Sequence, residues 1–207
     1  MNVRPYDRLA LAIPAQGSRV RVMDLIPDQI LTAMVLLDAP VAEGRIVQDT
    51  DRDLLKIAVI ERHRRTGRIG LGLVRGFSLK RGALASSVAH DSHNILCVGT
   101  DDGDMVAAAR AVEVMGGGLA VACDGEVLAR LALPIGGLMS DRPLEEIASG
   151  WESLRFAARQ LGCTLHEPFM HLSFLALPVI PALKITDRGL VDVGRFEIVP
   201  LCVEERG

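Results

Sequence analysis

Apolar residues along this chain come in short runs, more often with the period of strands than of helices. Residues 8–13 (Arg-Leu-Ala-Leu-Ala-Ile) and 19–26 (Arg-Val-Arg-Val-Met-Asp-Leu-Ile) read as strands, the second alternating through Val20 and Val22, with Pro14 and Gly17 between them. The branched run 29–37 reads as another strand, though its length also suits a helix, and 44–47 as a short one. The acidic stretch 49–53 reads as a solvated turn. Continuous apolar character over 54–61 predicts a strand covered on both faces. Glycines at 70, 72 and 76 are too many for a helix interior at about 1 kcal/mol each. They predict a strand over 69–77 that another backbone or a ligand approaches closely.

Two runs of small apolar residues, 83–89 and 95–98, flank a polar knot, His90-Asp91-Ser92-His93-Asn94. After Thr100 or Asp101 as a cap, the stripe Met105, Ala108, Ala109, Val112 and Met115 predicts a helix over about 102–115, stopped by Gly116-Gly117-Gly118. Asp124-Gly125 predicts a hairpin between 119–123 and 126–133. Residues 134–141 read as a loop whose Met139-Ser140-Asp141 end caps the next element. From Pro143 a helix is predicted to about 161, with Leu144, Ile147, Ala148, Trp151, Leu154, Ala158 and Leu161 inward. Pro178 and Pro181 limit 169–181 to one or two helical turns followed by extended chain. A polar loop with a short strand over 184–192 and a closing strand over 196–203 complete the pattern. The fold class expected is α+β, with a mixed or largely antiparallel sheet packed with two main helices. A strand-rich N-terminal extension (1–52) precedes the main α+β domain (53–207).

Composition narrows the function classes. The 207 residues are 49% hydrophobic, yet no apolar run approaches the roughly 20 residues of a membrane helix. The apolar surplus implies a homo-oligomer or a covered partner surface. A net charge of -3 with scattered basic residues, and only 3% aromatics, argues against nucleic acid. Arg62-His63-Arg64-Arg65 reads as a solvated turn, with an anion contact as the rival reading. Cys97, Cys123, Cys163 and Cys202 have no CxxC spacing and imply reduced thiols in a cytoplasmic protein. The first residues lack the apolar core of a signal peptide.

Several runs carry a resemblance: 55–63, 66–72, 79–94, Met115-Gly116-Gly117-Gly118, Leu133 to Asp141 and Thr186-Asp187-Arg188-Gly189-Leu190-Val191-Asp192. Together they span 53–201 almost without a gap, and they resemble the C-terminal region of bacterial adenine deaminases of the amidohydrolase superfamily. The resemblance implies hydrolysis of adenine, or a related heterocycle, to hypoxanthine and ammonia. In that family a (β/α)8 barrel holds a divalent metal, manganese or iron, which lowers the pKa of bound water. The paired-histidine motif of that barrel is absent here, and the length does not hold a barrel of about 250 residues. The resemblance therefore implies no metal cofactor in this chain and a separate metal-binding barrel subunit, or a barrel elsewhere in the same gene product, as partner. A stand-alone module binding a purine-like small molecule is the alternative, and an autonomous metal hydrolase the third reading.

The candidate substrate-lining residues are His90, Asp91, Ser92, His93, Asn94, Glu61, His63 and Ser86. On an extended chain Asp91 and His93 share one face, and His90 and Ser92 the other. Two imidazoles and a carboxylate could contact a purine edge; His90, His93 and Asp91 are also the metal candidates. The competing reading is a turn whose Asp91, Ser92 and Asn94 bond their own backbone. Glu61 and His63 follow a buried strand at a sheet end, where an ion pair is the plainer alternative. Ser86 and Ser87 lie in a small-residue strand with no nucleophile elbow. His166 and His171 read as structural histidines.

Overall fold

The computed structural model describes residues 1–27 and 29–203. Alternation along the strands decides the layers. On β6 (Leu55–Ile60), Leu55, Ile57 and Val59 face one side of the sheet while Ala58 and Ile60 face the other, and all are buried. β1 (Ile13–Pro14), β4 (Val41–Ala42) and β5 (Arg45–Ile46) make a small antiparallel sheet near the N-terminus. The main sheet takes β2 (Arg19–Leu25), β3 (Thr32–Asp38), β7 (Ile69–Arg75), β8 (Ala83–Ser86) and β9 (Ile95–Gly99). It also takes β10 (Gly118–Cys123), β11 (Glu126–Ala132) and, after the C-terminal hairpins, β15 (Cys202–Val203).

Among the described residues it has nine strands in the order β11-β10-β8-β9-β6-β7-β2-β15, with β3 on the other side of β2. Every pairing is antiparallel except β2 with β7, which run parallel over Val22–Asp24. The sheet is thus mixed, and β2 and β3 extend it rather than standing apart. Asp124 and Gly125 take the left-handed backbone of the hairpin turn between β10 and β11.

Side-chain size sorts the two faces. Ala58, Ala83, Ala85, Ala120 and Ala122 let α1 (Asp102–Val114) sit close to the sheet through Met105, Ala108, Ala109 and Val112. Val3, Tyr6 and Leu11 complete that face. The opposite face carries Leu84, Leu96, Val98, Leu119 and Val121, and is covered by α2 (Leu144–Gln160) and α3 (Pro168–Leu175). The antiparallel strands β12 (Leu183–Thr186), β13 (Gly189–Asp192) and β14 (Glu197–Val199) lie there too. Each fully buried Leu or Ile contributes about 1.5–3 kcal/mol relative to exposure. The close approach expected at the glycines of β7 is the turn between β12 and β13: a Cβ on Gly70 would stand 1.9 Å from the Thr186 carbonyl oxygen.

Four local expectations are corrected. Residues Arg8–Leu11 form a 3-10 turn instead of a strand, because the Asp7 carboxylate accepts the backbone N–H groups of Leu9 and Ala10 at 2.9 and 3.3 Å. Leu144 and Ala148 on α2 are exposed, since the helix turns Ile147, Trp151, Leu154, Ala157 and Ala158 to the core and these two lie off that stripe. Ser140 and Asp141 do not cap α2: Pro143 takes the cap position without a side-chain bond, and Ser140 accepts the Arg142 N–H instead. Arg62 is buried, not part of a solvated turn. No helix among the described residues is long and apolar enough to cross a membrane.

Candidate functional site

One carboxylate shapes the loop that leaves β6. Glu61 is buried, and its oxygens accept the N–H groups of His63, Arg64 and Thr66 at 2.5, 2.7 and 2.9 Å and the Thr66 hydroxyl at 2.9 Å. Burial pushes its pKa up, but these four donors outweigh that and hold the carboxyl at about 2. Glu61 is therefore committed to its own loop and forms no ion pair among the described residues.

The next residue ties three loops together. Arg62, only 8% exposed, donates through Nε to the His93 carbonyl and through an Nη to the Gly136 carbonyl at 2.8 Å. Its backbone N–H is 3.4 Å from Asn94 Oδ1. A Cβ on Gly137 would lie 2.9–3.1 Å from the guanidinium, so only glycine lets the 134–141 loop lie against Arg62 in this way. Ser87 secures the same loop from beneath: its hydroxyl donates to Gly137 O at 2.6 Å and accepts the Gly118 N–H at 2.8 Å. At the outer side His63 Nε2 donates to the Ser92 carbonyl at 2.7 Å, and the Asn2 amide donates to the His63 carbonyl at 3.2 Å.

The polar knot is a turn over His90–Ser92 leading into β9. Asp91 and Ser92 point to solvent, His90 and His93 are half-buried, and Asn94 is buried. His93 holds a left-handed φ of 50°, an uncommon conformation for a residue with a Cβ, and its N–H donates to Ala89 O at 2.7 Å. The His90 ring stacks on Phe174 of α3 with centroids 4.6 Å apart and planes 9° from parallel. The Nδ1 atoms of both His90 and His93 are buried with no hydrogen-bond partner among the described residues. Burial lowers the His93 pKa, and the charges of Arg62, His90 and His63 lower it further against a smaller opposing pull from Asp91. His93 is accordingly neutral at pH 7 and can donate or accept.

Seven of the eight expected lining residues meet around the Arg62 clamp: Glu61, His63, His90, Asp91, Ser92, His93 and Asn94. Ser86 does not reach it. Its hydroxyl closes a local turn with Val88, accepting from the N–H at 3.0 Å and facing the carbonyl at 3.3 Å. His171 is tied to its own helix, Nδ1 donating to Glu167 O at 3.0 Å, and His166 is exposed beside Glu167. Arg62, Ser87, Gly137 and Phe174 also belong to the cluster and are not among the expected lining residues. Arg62 adjoins the buried strand directly, which was the available signal against a solvated side chain.

The donor set does not fit a metal. Among the described residues no group of three or more His, Cys, Asp or Glu side chains converges as a ligand set. His90, His93 and Asp91 are not gathered into one, because His90 turns onto Phe174 and Asp91 turns to solvent. Burial also pushes the thiols of Cys97 and Cys163 up, the latter to about 11, so neither supplies a thiolate. What the cluster offers is a hydrogen-bonding edge of neutral imidazole and backbone groups on a rigid base.

The site is thus a sheet end carrying clamped loops, and among the described residues no metal-ligand set stands there. The sequence profile described as "Adenine deaminase C-terminal domain" matches residues 29–197, and the chain belongs to this family. It is 55% identical over 201 residues to the adenine deaminase of Desulfatibacillum aliphaticivorans, covering 97% of this chain and 35% of that protein. It is 54% identical to that of Methanothrix thermoacetophila, covering 99% and 36%, and 52% identical to that of Oleidesulfovibrio alaskensis, covering 97% and 35%. The chain thus spans about a third of the length of these curated relatives.

Proposed function

We propose that this chain works as the C-terminal part of an adenine-deaminase-type hydrolase acting on adenine or a related cyclic amidine, with hypoxanthine and ammonia as the products from adenine. In this reading the His90–Asn94 turn, set by Arg62, lines or closes the purine site, and a metal-bearing barrel supplies the catalysis. The described residues of this chain do not fit the divalent metal, which in this reading belongs to the barrel. The observation that carries the reading is the pair of buried, partnerless imidazole nitrogens of His90 and His93, within a cluster otherwise tied by hydrogen bonds. Buried polar groups without partners are rare, and a heterocycle edge or a facing domain would supply partners. Exposed Leu128 on β11 and Phe156 on α2 support assembly with the barrel or with a second copy. Four free cysteines support a reducing, cytoplasmic setting.

The test is ammonia release from adenine by the purified chain, alone and mixed with the barrel portion of a relative such as the Desulfatibacillum adenine deaminase. The chain alone is expected to release none, and the mixture to release ammonia in a manner that His93→Ala in this chain reduces at least tenfold. Turnover of adenine by the chain alone at enzymatic rates would overturn the proposal. Tight purine binding with no ammonia from either sample would favour the binding-module alternative.

A further inference from the structure

Two lysines are buried in this fold, and among the described residues only one has a counter-charge. Lys56, on the α1 face of β6, places Nζ 2.6 and 2.8 Å from the carboxylate oxygens of Asp102 at the start of α1. Lys184, on β12, is equally shut off from solvent, yet among the described residues its Nζ makes a single hydrogen bond, to the Ile30 carbonyl at 2.9 Å. Among the described residues no carboxylate forms an ion pair with it, and burial alone pushes its pKa down to about 8. An ammonium has three donors. Leaving a buried one without balancing charge costs several kcal/mol, which a fold retains only where something offsets it.

Lys184 and Ile30 both line a cavity of about 230 Å³ between α3 and the segment leading into β3. Its other walls are mainly apolar, from Leu25, Met170, Phe174 and Leu175, with His171 as the other titratable residue. None of the described lining residues carries a carboxylate to offset the lysine. Sites for drug-sized ligands run from about 300 to 1,000 Å³, so this cavity suits a more compact molecule.

We infer that this cavity is a binding site for a compact monoanion with an apolar body, its anionic oxygen taking the two unused Nζ donors of Lys184 and its body lying against Phe174, Met170 and the two leucines. The site is separate from the proposed purine site and needs neither the barrel nor a purine. The two are neighbours nonetheless: Phe174, one wall of the cavity, stacks on His90.

The experiment is calorimetric titration of the 207-residue chain with benzoate, with benzamide as its uncharged isostere, and with inorganic phosphate as an anion lacking the apolar body. Benzoate is expected to bind at one site, at least tenfold tighter than either of the others, and Lys184→Met, which conserves volume, to abolish that preference. Methyl NMR of the unmodified chain should place the benzoate response on Leu25, Met170 and Leu175, a readout that stands even if the variant fails to fold. Equal binding of benzoate and benzamide, absence of benzoate binding, a preference that survives Lys184→Met, or methyl responses confined elsewhere would each overturn the inference.

Discussion

Glu61 and Lys184 are both buried charged side chains beside a sheet, and the molecule treats them in opposite ways. Glu61 is surrounded by four donors that hold its carboxyl at about 2. Lys184 has one acceptor among the described residues, and burial drives its amine down to about 8. A buried charge with its full complement of hydrogen bonds is a structural part, because desolvation is repaid within the fold. A buried charge without that complement points outward, to something that binds. The same contrast separates Glu61 from its neighbours His90 and His93, whose partnerless nitrogens carry the proposed function.

The comparison can be broken most sharply at Glu61. Glu61→Ala removes the acceptor of three loop N–H groups and is expected to cost about 2–3 kcal/mol in urea unfolding, with the 62–67 loop losing amide protection in hydrogen exchange. A loss below about 1 kcal/mol would show that the carboxylate does not organise the loop. Arg62→Ala should cost about 2–3 kcal/mol, because two loop carbonyls lose their donor and Gly137 loses its packing surface. Arg62→Lys should recover only part of that, since an ammonium cannot span His93 O and Gly136 O as the guanidinium does.

The two charges also predict opposite pH dependences. The folded pKa of Glu61 lies below its ordinary value of 4.5, so its contribution is complete above pH 4.5 and is lost as pH falls from there toward 2. The loss should be on the order of 3 kcal/mol and absent in Glu61→Gln. The folded pKa of Lys184 lies below 10.5, so its penalty is full below pH 8 and is relieved as pH rises from 8 to 10.5. Stability that rises across that window in the parent chain, and is flatter in Lys184→Met, would confirm the contrast; identical slopes would refute it. The smallest effect expected is at neutral pH, where Lys184→Met should stabilise the chain by about 1–2 kcal/mol in the same denaturation assay.

Much of the architecture was legible beforehand, for identifiable reasons. The Asp124-Gly125 turn, the Asp101 cap of α1 and the crowded glycines of β7 are local signals, each tied to a backbone geometry that few residues adopt. The His90–Asn94 knot stood out because five polar residues between two buried strands must find partners. The failures have the same physical origin. Asp7 turned an apolar run into a 3-10 turn by bonding two backbone amides, and Leu144 and Ala148 lie off the stripe that α2 turns to the core. Arg62 was hidden in a basic run because charge alone does not tell a solvated arginine from one whose donors are claimed by carbonyls 31 and 74 residues away.

By itself, the order of residues determined the α+β class, most strand and helix positions, and a resemblance strong enough to name the family, because these rest on contacts between neighbours in the chain. Only the tertiary structure decided which charges are satisfied. Glu61 finds its donors within five residues, whereas the Ile30 carbonyl that Lys184 bonds lies 154 residues away, and the solvation of a buried group depends on everything packed around it.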